Sequence, residues 1–189
     1  MKHRDFINFL NKLEKLKCNT RHCYTTTGRR ESVAEHSWRL AVMAMLCADE
    51  YPDVNIDRVI KMCLIHDIGE AVTGDVPSFY KTDENEVEED IAVTALLSGL
   101  SDELRDEFSE LFSEMNAYET IEAKLYKALD NMEAVLAHNE SDLSTWIPLE
   151  YTENLVYGQG NCEFSRWTRE LRAMLKADSI KKIKKEGKN

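Results

Sequence analysis

Apolar side chains recur every three or four residues along most of this chain, which is the spacing of one face of an α-helix. In the first such segment they are Phe6, Phe9, Leu10, Leu13 and Leu16. Glycine and proline interrupt helices and form turns, yet the 189 residues include only seven glycines and three prolines. The sequence therefore predicts an all-α protein. Because no repeat, linker or strand pair is evident, it also predicts a single helical-bundle domain over residues 1–189.

The bounds of the predicted helices follow from this spacing and from the residues that begin and end each segment. We expect helices over residues 3–17, 33–50, 56–64, 83–98, 101–112, 118–139 and about 161–186. In the fourth of these, Val87 and Ile91 are expected to belong to the buried stripe. Residues 18–31 lose the helical spacing and are predicted to form an irregular loop, and residues 142–160 are predicted to be irregular or short-helical.

Histidine and aspartate lie beside the apolar stripes of three predicted helices. A capping box at residues 32–35 places His36 on the inner face of the helix that follows. The dipeptide His66-Asp67 ends the third apolar segment, and Asp130 lies beside the stripe of the long helix further on. Two imidazoles and two carboxylates on rigid elements form the mixed donor set that divalent metal ions accept. This set defines a metal-binding core over about residues 32–139.

Each of these residues also has an ordinary structural explanation. His36 alone is explained as a hydrogen-bonded core histidine, and Asp130 alone as an acceptor near the helix surface. The pair His66-Asp67 is explained as a polar helix end. Their combination favours a metal site, because several ionisable groups on inner faces are costly to bury unless they pair or bind an ion. The predicted metal ligands are His36, His66, Asp67 and Asp130.

Glu70 lies four positions after His66, one helical turn further along the same side if helical spacing continues. A divalent ion lowers the pKa of a bound water towards neutrality, and a nearby carboxylate can orient or deprotonate that water. We therefore predict Glu70 as a catalytic base, with a capping or surface glutamate as the alternative. The turn after it is predicted to form a pocket wall, in which Asp75 either lines the site or caps the turn.

The formal net charge of −11 argues against a protein that coats nucleic acid, since a phosphate backbone requires clustered lysine and arginine. A small anionic substrate needs only a local basic pocket, and the residues alone leave open whether Arg21, Arg29 or Arg30 binds its phosphate.

The five cysteines form no C-x-x-C pair. No apolar stretch reaches the roughly 20 residues of a membrane span. We therefore predict a cytoplasmic protein that does not interact with a membrane.

The strings S-V-A-E-H-S at residues 32–37 and H-D-I-G-E-A-V-T-G-D at residues 66–75, with Asp130 further on, resemble the HD-domain metal-dependent phosphohydrolases. More narrowly, they look like the 5′-deoxyribonucleotidase branch of that superfamily. The resemblance covers at least residues 10–139. It implies an all-α fold and a metal-dependent phosphoric monoester hydrolase that converts deoxyribonucleoside 5′-monophosphates to deoxyribonucleoside and phosphate.

The resemblance also implies a role for each site residue. It assigns one divalent ion to His36, His66, Asp67 and Asp130, with manganese, cobalt, iron, nickel, zinc and magnesium all left as candidates. By the same comparison Glu70 activates the water, Arg21 holds the phosphate, and Asp75 contacts the sugar or assists the leaving oxygen. Members of the family are commonly homodimers, so we expect this protein to form a homodimer. We also expect it to bind a small nucleotide as its substrate.

One position departs from the resembled pattern. The nucleotidase branch usually has a tryptophan after the phosphate-binding arginine, implicated in rejecting the ribose 2′-hydroxyl, where this chain has His22. An imidazole is able to hydrogen-bond a 2′-hydroxyl. We therefore expect phosphate hydrolysis to be retained and predict His22 as a substrate-binding residue, while the choice between deoxyribose and ribose stays open.

Two other functions remain as alternatives. One is an HD-type hydrolase of a different nucleotide, such as a triphosphate, a cyclic nucleotide or a guanosine polyphosphate, although the short chain lacks clear extra segments for a larger substrate. The other is a non-catalytic dimeric module that senses a nucleotide, which the complete ligand set and Glu70 disfavour. The two hydrolases differ in the nucleotides from which they release phosphate, and the sensing module releases none.

Overall fold

The computed structural model describes residues 1–186, so residues 187–189 of the predicted domain lie outside the described part. The α-helices are α1 (His3–Leu13), α2 (Val33–Leu46), α3 (Ile56–Ile65), α4 (Glu70–Thr73), α5 (Asp83–Leu97), α6 (Asp102–Ala117), α7 (Ile121–Glu140), α8 (Glu150–Glu153) and α9 (Arg166–Glu186). Short 3-10 helices span Glu14–Lys17, Ala48–Glu50, Leu143–Thr145 and Gly160–Cys162. The prediction of an all-α fold is confirmed.

A small antiparallel hairpin replaces the irregular loop predicted at residues 18–31, so the expectation of no strand pair was wrong. Its strands are β1 (Thr20–Tyr24) and β2 (Arg30–Ser32). Gly28 turns the chain between them with a φ of +83°, a conformation that glycine adopts without steric cost. Strand β1 packs against α7. The hairpin therefore carries residues 20–24 to the central helix of the fold.

Helix α7 forms the centre of the core and packs against α2, α3 and α9. Its fully buried apolar residues are Ala123, Leu125, Ala128, Leu129, Met132 and Val135. A helix that is buried on several sides has little room for charge, because each buried charge must be paired. Asp130 and Glu133 are nevertheless buried on α7. These two acids mark where the core gives way to a polar site.

The starts of α7 and of the terminal helix differ from the sequence prediction. Helix α7 begins three residues later than predicted, because Tyr118 has a φ of +54° and the hydroxyl of Thr120 caps the helix by accepting the N–H of Ala123 at 3.1 Å. The terminal helix begins at Arg166 and not near residue 161.

Over the described residues, no helix is both long and apolar enough to cross a membrane.

The buried face of α5 is rotated from the predicted one. Val87 and Ile91 are 57% and 64% exposed. The buried residues of this helix are instead Ala92, Val93, Leu96 and Leu97. Helix α5 packs on α4 and α6 through its C-terminal half. Val87 in the first half of the helix and Ile91 near its middle therefore lie at the surface.

Candidate active site

The four side chains predicted as metal ligands converge at one point between α2, the end of α3, and α7. His36 Nε2 lies 3.2 Å from His66 Nε2 and 3.2 Å from Asp130 Oδ1. Asp67 Oδ2 lies 2.9 Å from His66 Nε2 and 3.8 Å from His36 Nε2. A divalent ion with ligand bonds of about 2.0–2.2 Å keeps neighbouring donor atoms about 3 Å apart. The chemistry and spacing of this donor set therefore fit one divalent ion.

The start of α2 directs His36 into this cluster. The hydroxyl of Ser32 accepts the backbone N–H of Glu35 at 3.3 Å, and Glu35 Oε2 accepts the backbone N–H of Ser32 at 2.9 Å. This reciprocal capping box fixes the first helical turn, as the sequence predicts. His36 follows immediately and is completely buried. A local motif thus sets the position of the first candidate ligand.

The backbone orients His66 at the end of α3. Its Nδ1 atom lies 3.0 Å from the carbonyl oxygen of Cys63. Because a carbonyl only accepts hydrogen bonds, Nδ1 carries the proton and Nε2 presents its lone pair to the cluster. A metal ligand that binds through Nε2 requires this tautomer.

Glu133 holds the other imidazole and is absent from the residues that the sequence singled out. Its completely buried carboxylate hydrogen-bonds His36 Nδ1 and accepts from Arg21 Nη1 at 3.1 Å and Arg39 Nε at 2.6 Å. Burial raises the pKa of Glu133, but His36 and the two arginines outweigh burial and lower the pKa to about 2. Glu133 therefore connects a candidate metal ligand to the candidate phosphate-binding arginine.

The two aspartates of the cluster are held in the ionised form. Burial raises the pKa of Asp67, but the adjacent His66 outweighs it and lowers the pKa to about 2. Burial also opposes ionisation of Asp130, yet Lys127 Nζ lies 2.8 Å from Asp130 Oδ2 and holds the pKa well below its ordinary value. Metal binding requires ionised carboxylates, so both side chains are ready to act as ligands.

Glu70 begins α4 beside this cluster and is only 6% exposed. Its Oε2 atom has no hydrogen-bond partner within the described part of the chain. Burial, together with Asp67 and Asp75, raises the pKa of Glu70 to about 10. Oxygen atoms of Asp67, Glu70 and Glu89 lie within 4.8 Å of one another. A buried carboxyl group with a free oxygen, adjacent to a metal donor, is placed to orient a water molecule or to exchange a proton with it.

The cluster opens into a cavity of about 480 Å³ whose lining includes Arg21, Lys81 and Lys127. Seven acidic side chains of the described residues also line this cavity, so its positive charge is confined to these three residues and the predicted basic pocket is local at most to Arg21 and the two lysines. Of the three arginines that the sequence left open, Arg21 lies in this cavity. Arg29 and Arg30 line a separate surface hollow, and Arg29 pairs there with Glu35 at 2.5 Å.

Asp75 and His22 line the same cavity. Asp75 follows Gly74, whose φ of +79° turns the chain, and burial raises the pKa of the Asp75 carboxyl group. His22 Nε2 lies 3.2 Å from Oε1 of Glu150, a second buried acid that the sequence prediction missed. Of the two missed acids, only Glu133 had a usable signal, because it lies one helical turn after Asp130.

Comparison with known proteins places the chain in one family. The profile of the HD domain family matches residues 13–172. Human 5'-deoxynucleotidase HDDC2 is 34% identical over 142 residues, which are 72% of this chain and 68% of that protein. The 5'-deoxynucleotidase hdd1 of Schizosaccharomyces pombe is 31% identical over 175 residues, which are 83% of this chain and 87% of that protein.

Solved structures agree with this assignment. The structure of a predicted metal-dependent phosphohydrolase from Magnetospirillum magnetotacticum MS-1 has a TM-score of 0.80 and 32% identity, covering 95% of this chain and 93% of that one. A conserved hypothetical protein from Pyrococcus furiosus has a TM-score of 0.70 and 27% identity, covering 92% and 99% of the two chains. The protein described here belongs to the HD domain family.

Proposed function

We propose that this protein is a metal-dependent 5′-nucleotidase that hydrolyses deoxyribonucleoside 5′-monophosphates to the deoxyribonucleoside and phosphate. The observation that carries this proposal is the convergence of two histidines and two aspartates at a cavity that Arg21 and Glu70 also line. The relatives named 5'-deoxynucleotidases support the substrate class, and the solved phosphohydrolase supports the reaction class.

The proposed ligands of one divalent ion are His36, His66, Asp67 and Asp130. When bound, such an ion supplies Lewis-acid polarisation of the phosphate and lowers the pKa of a water molecule. Manganese, cobalt, iron, nickel, zinc and magnesium remain candidates, because a shell of two imidazoles and two carboxylates accepts several of these metals.

Three further residues act on the substrate and the attacking water. Arg21 offsets the charge on the non-bridging phosphate oxygens, and Glu31 and Glu133 hold its guanidinium at 3.2 and 3.1 Å. In its ionised form Glu70 takes the proton of the attacking water through its free carboxyl oxygen, and the charge of a bound divalent ion would offset the burial and the acidic neighbours that otherwise raise its pKa. Asp75 contacts the sugar or gives a proton to the leaving 5′-oxygen, and its raised pKa favours the protonated form that proton donation requires.

The charges of the cavity favour one phosphate group over several. Lys81 Nζ pairs with Glu89 at 2.5 Å, and Lys127 Nζ pairs with Asp130 at 2.8 Å. These pairs leave little free positive charge to hold a second and third phosphate. A cavity of about 480 Å³ is also within the range of small-molecule sites. The charge pairing supports a nucleoside monophosphate as the substrate, whereas the volume shows only that the cavity has room for a small molecule.

A panel of nucleotides tests this function against its two alternatives. Phosphate release is measured with metal-free and manganese-loaded protein on nucleoside monophosphates, triphosphates, cyclic nucleotides and a guanosine polyphosphate. The proposal predicts metal-dependent release from deoxyribonucleoside 5′-monophosphates. Release only from the larger or cyclic nucleotides supports another HD-type hydrolase. Nucleotide binding without release supports a sensing module.

We also propose that the chain acts as a single domain over residues 1–189 and forms a homodimer in the cytoplasm. Phe6 and Leu10 on α1, and Val87 and Ile91 on α5, leave apolar surface exposed, as dimer interfaces do before they pair. The five cysteines are free thiols, which fits a reducing compartment. Light scattering after size-exclusion chromatography tests the dimer, and a monomer mass at micromolar concentration contradicts it.

A further inference from the structure

A second polar cluster lies in the same cavity, away from the candidate metal site. Asp130, Ala134 and His138 line the cavity from successive turns of α7. Eight residues of α-helix span about 12 Å, so His138 lies well beyond the metal end. Glu150 on α8 and His22 on β1 face His138 there. The cavity therefore has a metal end and a separate polar end.

Glu150 is 1% exposed, and only one of its two carboxyl oxygens accepts a hydrogen bond from the described residues. Its Oε2 atom accepts the backbone N–H of Ile147 at 2.8 Å. Its Oε1 atom lies 3.2 Å from His22 Nε2 and 3.4 Å from His138 Nε2. The approach to His22 is not aligned for a hydrogen bond, so Glu150 Oε1 and His22 Nε2 both lack a partner among residues 1–186.

Buried polar atoms without partners are costly, and in a binding cavity a ligand group commonly satisfies them. A hydroxyl group suits this pair, because one oxygen atom both donates and accepts a hydrogen bond. It can donate to Glu150 Oε1 while it accepts from the N–H of His22. Burial raises the pKa of Glu150 to about 7, and a hydroxyl also pairs with the protonated carboxyl group.

We infer that Glu150, together with His22, determines specificity by binding a hydroxyl group on the sugar of the substrate. The Nε2 atom of His138 is instead in contact with Cys23 Sγ at 3.5 Å. This inference rests on the proposed nucleotidase function and adds to it a named recognition group. The bound hydroxyl is either the 2′- or the 3′-hydroxyl, since both have the same hydrogen-bonding chemistry. In the competing explanation, His22 and Glu150 form an internal ion pair that only stabilises α8.

The test replaces Glu150 by glutamine, which keeps an oxygen for the N–H of Ile147 and changes the free oxygen to an amide NH₂. The substrates are AMP, 2′-deoxy-AMP, 3′-deoxy-AMP and 2′,3′-dideoxy-AMP with metal-loaded protein. We expect kcat/KM to fall about tenfold or more for substrates that carry the bound hydroxyl, and to stay within about twofold for the dideoxy substrate. An equal loss for all four substrates overturns the inference.

The pattern of loss identifies the hydroxyl. A loss confined to AMP and 3′-deoxy-AMP assigns the 2′-hydroxyl, and a loss confined to AMP and 2′-deoxy-AMP assigns the 3′-hydroxyl. Glu119→Gln removes the same charge from an exposed position and should leave all four values unchanged. His22→Phe is the second variant, because it keeps a ring against Phe79, whose centroid is 6.0 Å from that of His22. It should reproduce the sugar-dependent loss even if Glu150→Gln fails to fold.

Nucleoside binding separates failure of this inference from failure of the proposed function. If the wild-type protein hydrolyses none of the four monophosphates, the proposed function is wrong, but the polar subsite remains testable. Calorimetry then compares adenosine with 2′,3′-dideoxyadenosine on metal-loaded protein. We expect adenosine to bind about tenfold more tightly, and Glu150→Gln to remove the difference. Equal affinities in the wild-type protein overturn the inference.

Discussion

The buried carboxylate of Glu133 hydrogen-bonds Nδ1 of His36, the imidazole whose Nε2 atom faces His66 and Asp130. The same carboxylate accepts a hydrogen bond from Arg21 Nη1 at 3.1 Å. A single side chain therefore orients a candidate metal ligand and the arginine proposed to hold phosphate. Carboxylates that hydrogen-bond a metal-binding histidine in this way fix its tautomer and raise its basicity.

Replacing Glu133 by glutamine should weaken metal affinity by about 10- to 100-fold, because His36 loses its charged partner. Calorimetric titration of metal-free protein with manganese measures the change. Glu140→Gln is the matched control: Glu140 also pairs with Arg39, at 2.5 Å, but lies at the surface and does not contact His36. Unchanged metal affinity in Glu133→Gln would contradict a role for this residue in orienting the ligand.

Replacing Arg21 by lysine keeps the charge but removes the planar fork that suits a phosphate group. We expect inorganic phosphate to inhibit this variant about tenfold more weakly than the wild-type enzyme. Arg29→Lys is the control, because Arg29 pairs with Glu35 outside the cavity. The same inhibition constant in Arg21→Lys and the wild type would show that another group binds the phosphate.

Substitution of a metal ligand and substitution of the proposed base should differ in their effects on metal content and on activity. Asp67→Ala is expected to lose both metal and activity. Glu70→Gln is expected to retain metal, because its side chain is not among the proposed ligands, while turnover falls by about 10²- to 10⁴-fold. Metal content by elemental analysis and phosphate release measured on the same samples check both outcomes. Full activity in Glu70→Gln would remove this residue from the mechanism.

Metal binding should release protons. Burial and Arg21 lower the pKa of His36, but Glu133 and Asp130 outweigh them and raise it to about 9. At pH 7 the metal-free protein therefore holds a proton on His36 that a metal ligand must lose. The apparent metal affinity should rise with pH up to about 9, because proton competition weakens. Calorimetry in two buffers of different ionisation enthalpy counts the protons, and no release at pH 7 contradicts this expectation.

The sequence predicted those parts of the fold and site that local patterns determine. The capping box before His36 and the end of α3 at His66 depend on neighbouring residues alone. The hairpin was missed because β1 and β2 are short and lack the apolar alternation that marks a half-buried strand. The face of α5 was assigned wrongly because Val87 and Ile91 share one helical face, whereas the helix packs through a different face that begins at Ala92.

Glu133 and Glu150 were missed for a different reason. Acidic side chains usually face solvent, so the burial of an acid depends on which charges the fold brings to it. Arg21 reaches Glu133 because the hairpin packs on α7, and the same strand brings His22 to Glu150 on α8. These pairings join residues more than 100 positions apart in the chain. Helical periodicity places Glu133 one turn after Asp130, but it does not reveal these long-range contacts.

The most direct test of the proposed function is the release of inorganic phosphate from dAMP by metal-free protein, before and after manganese is added. The proposed mechanism predicts only background release without metal and sustained release after loading, with Asp67→Ala inactive in both states. No release from any deoxyribonucleoside 5′-monophosphate by the loaded protein, or equal release with and without metal, would contradict it.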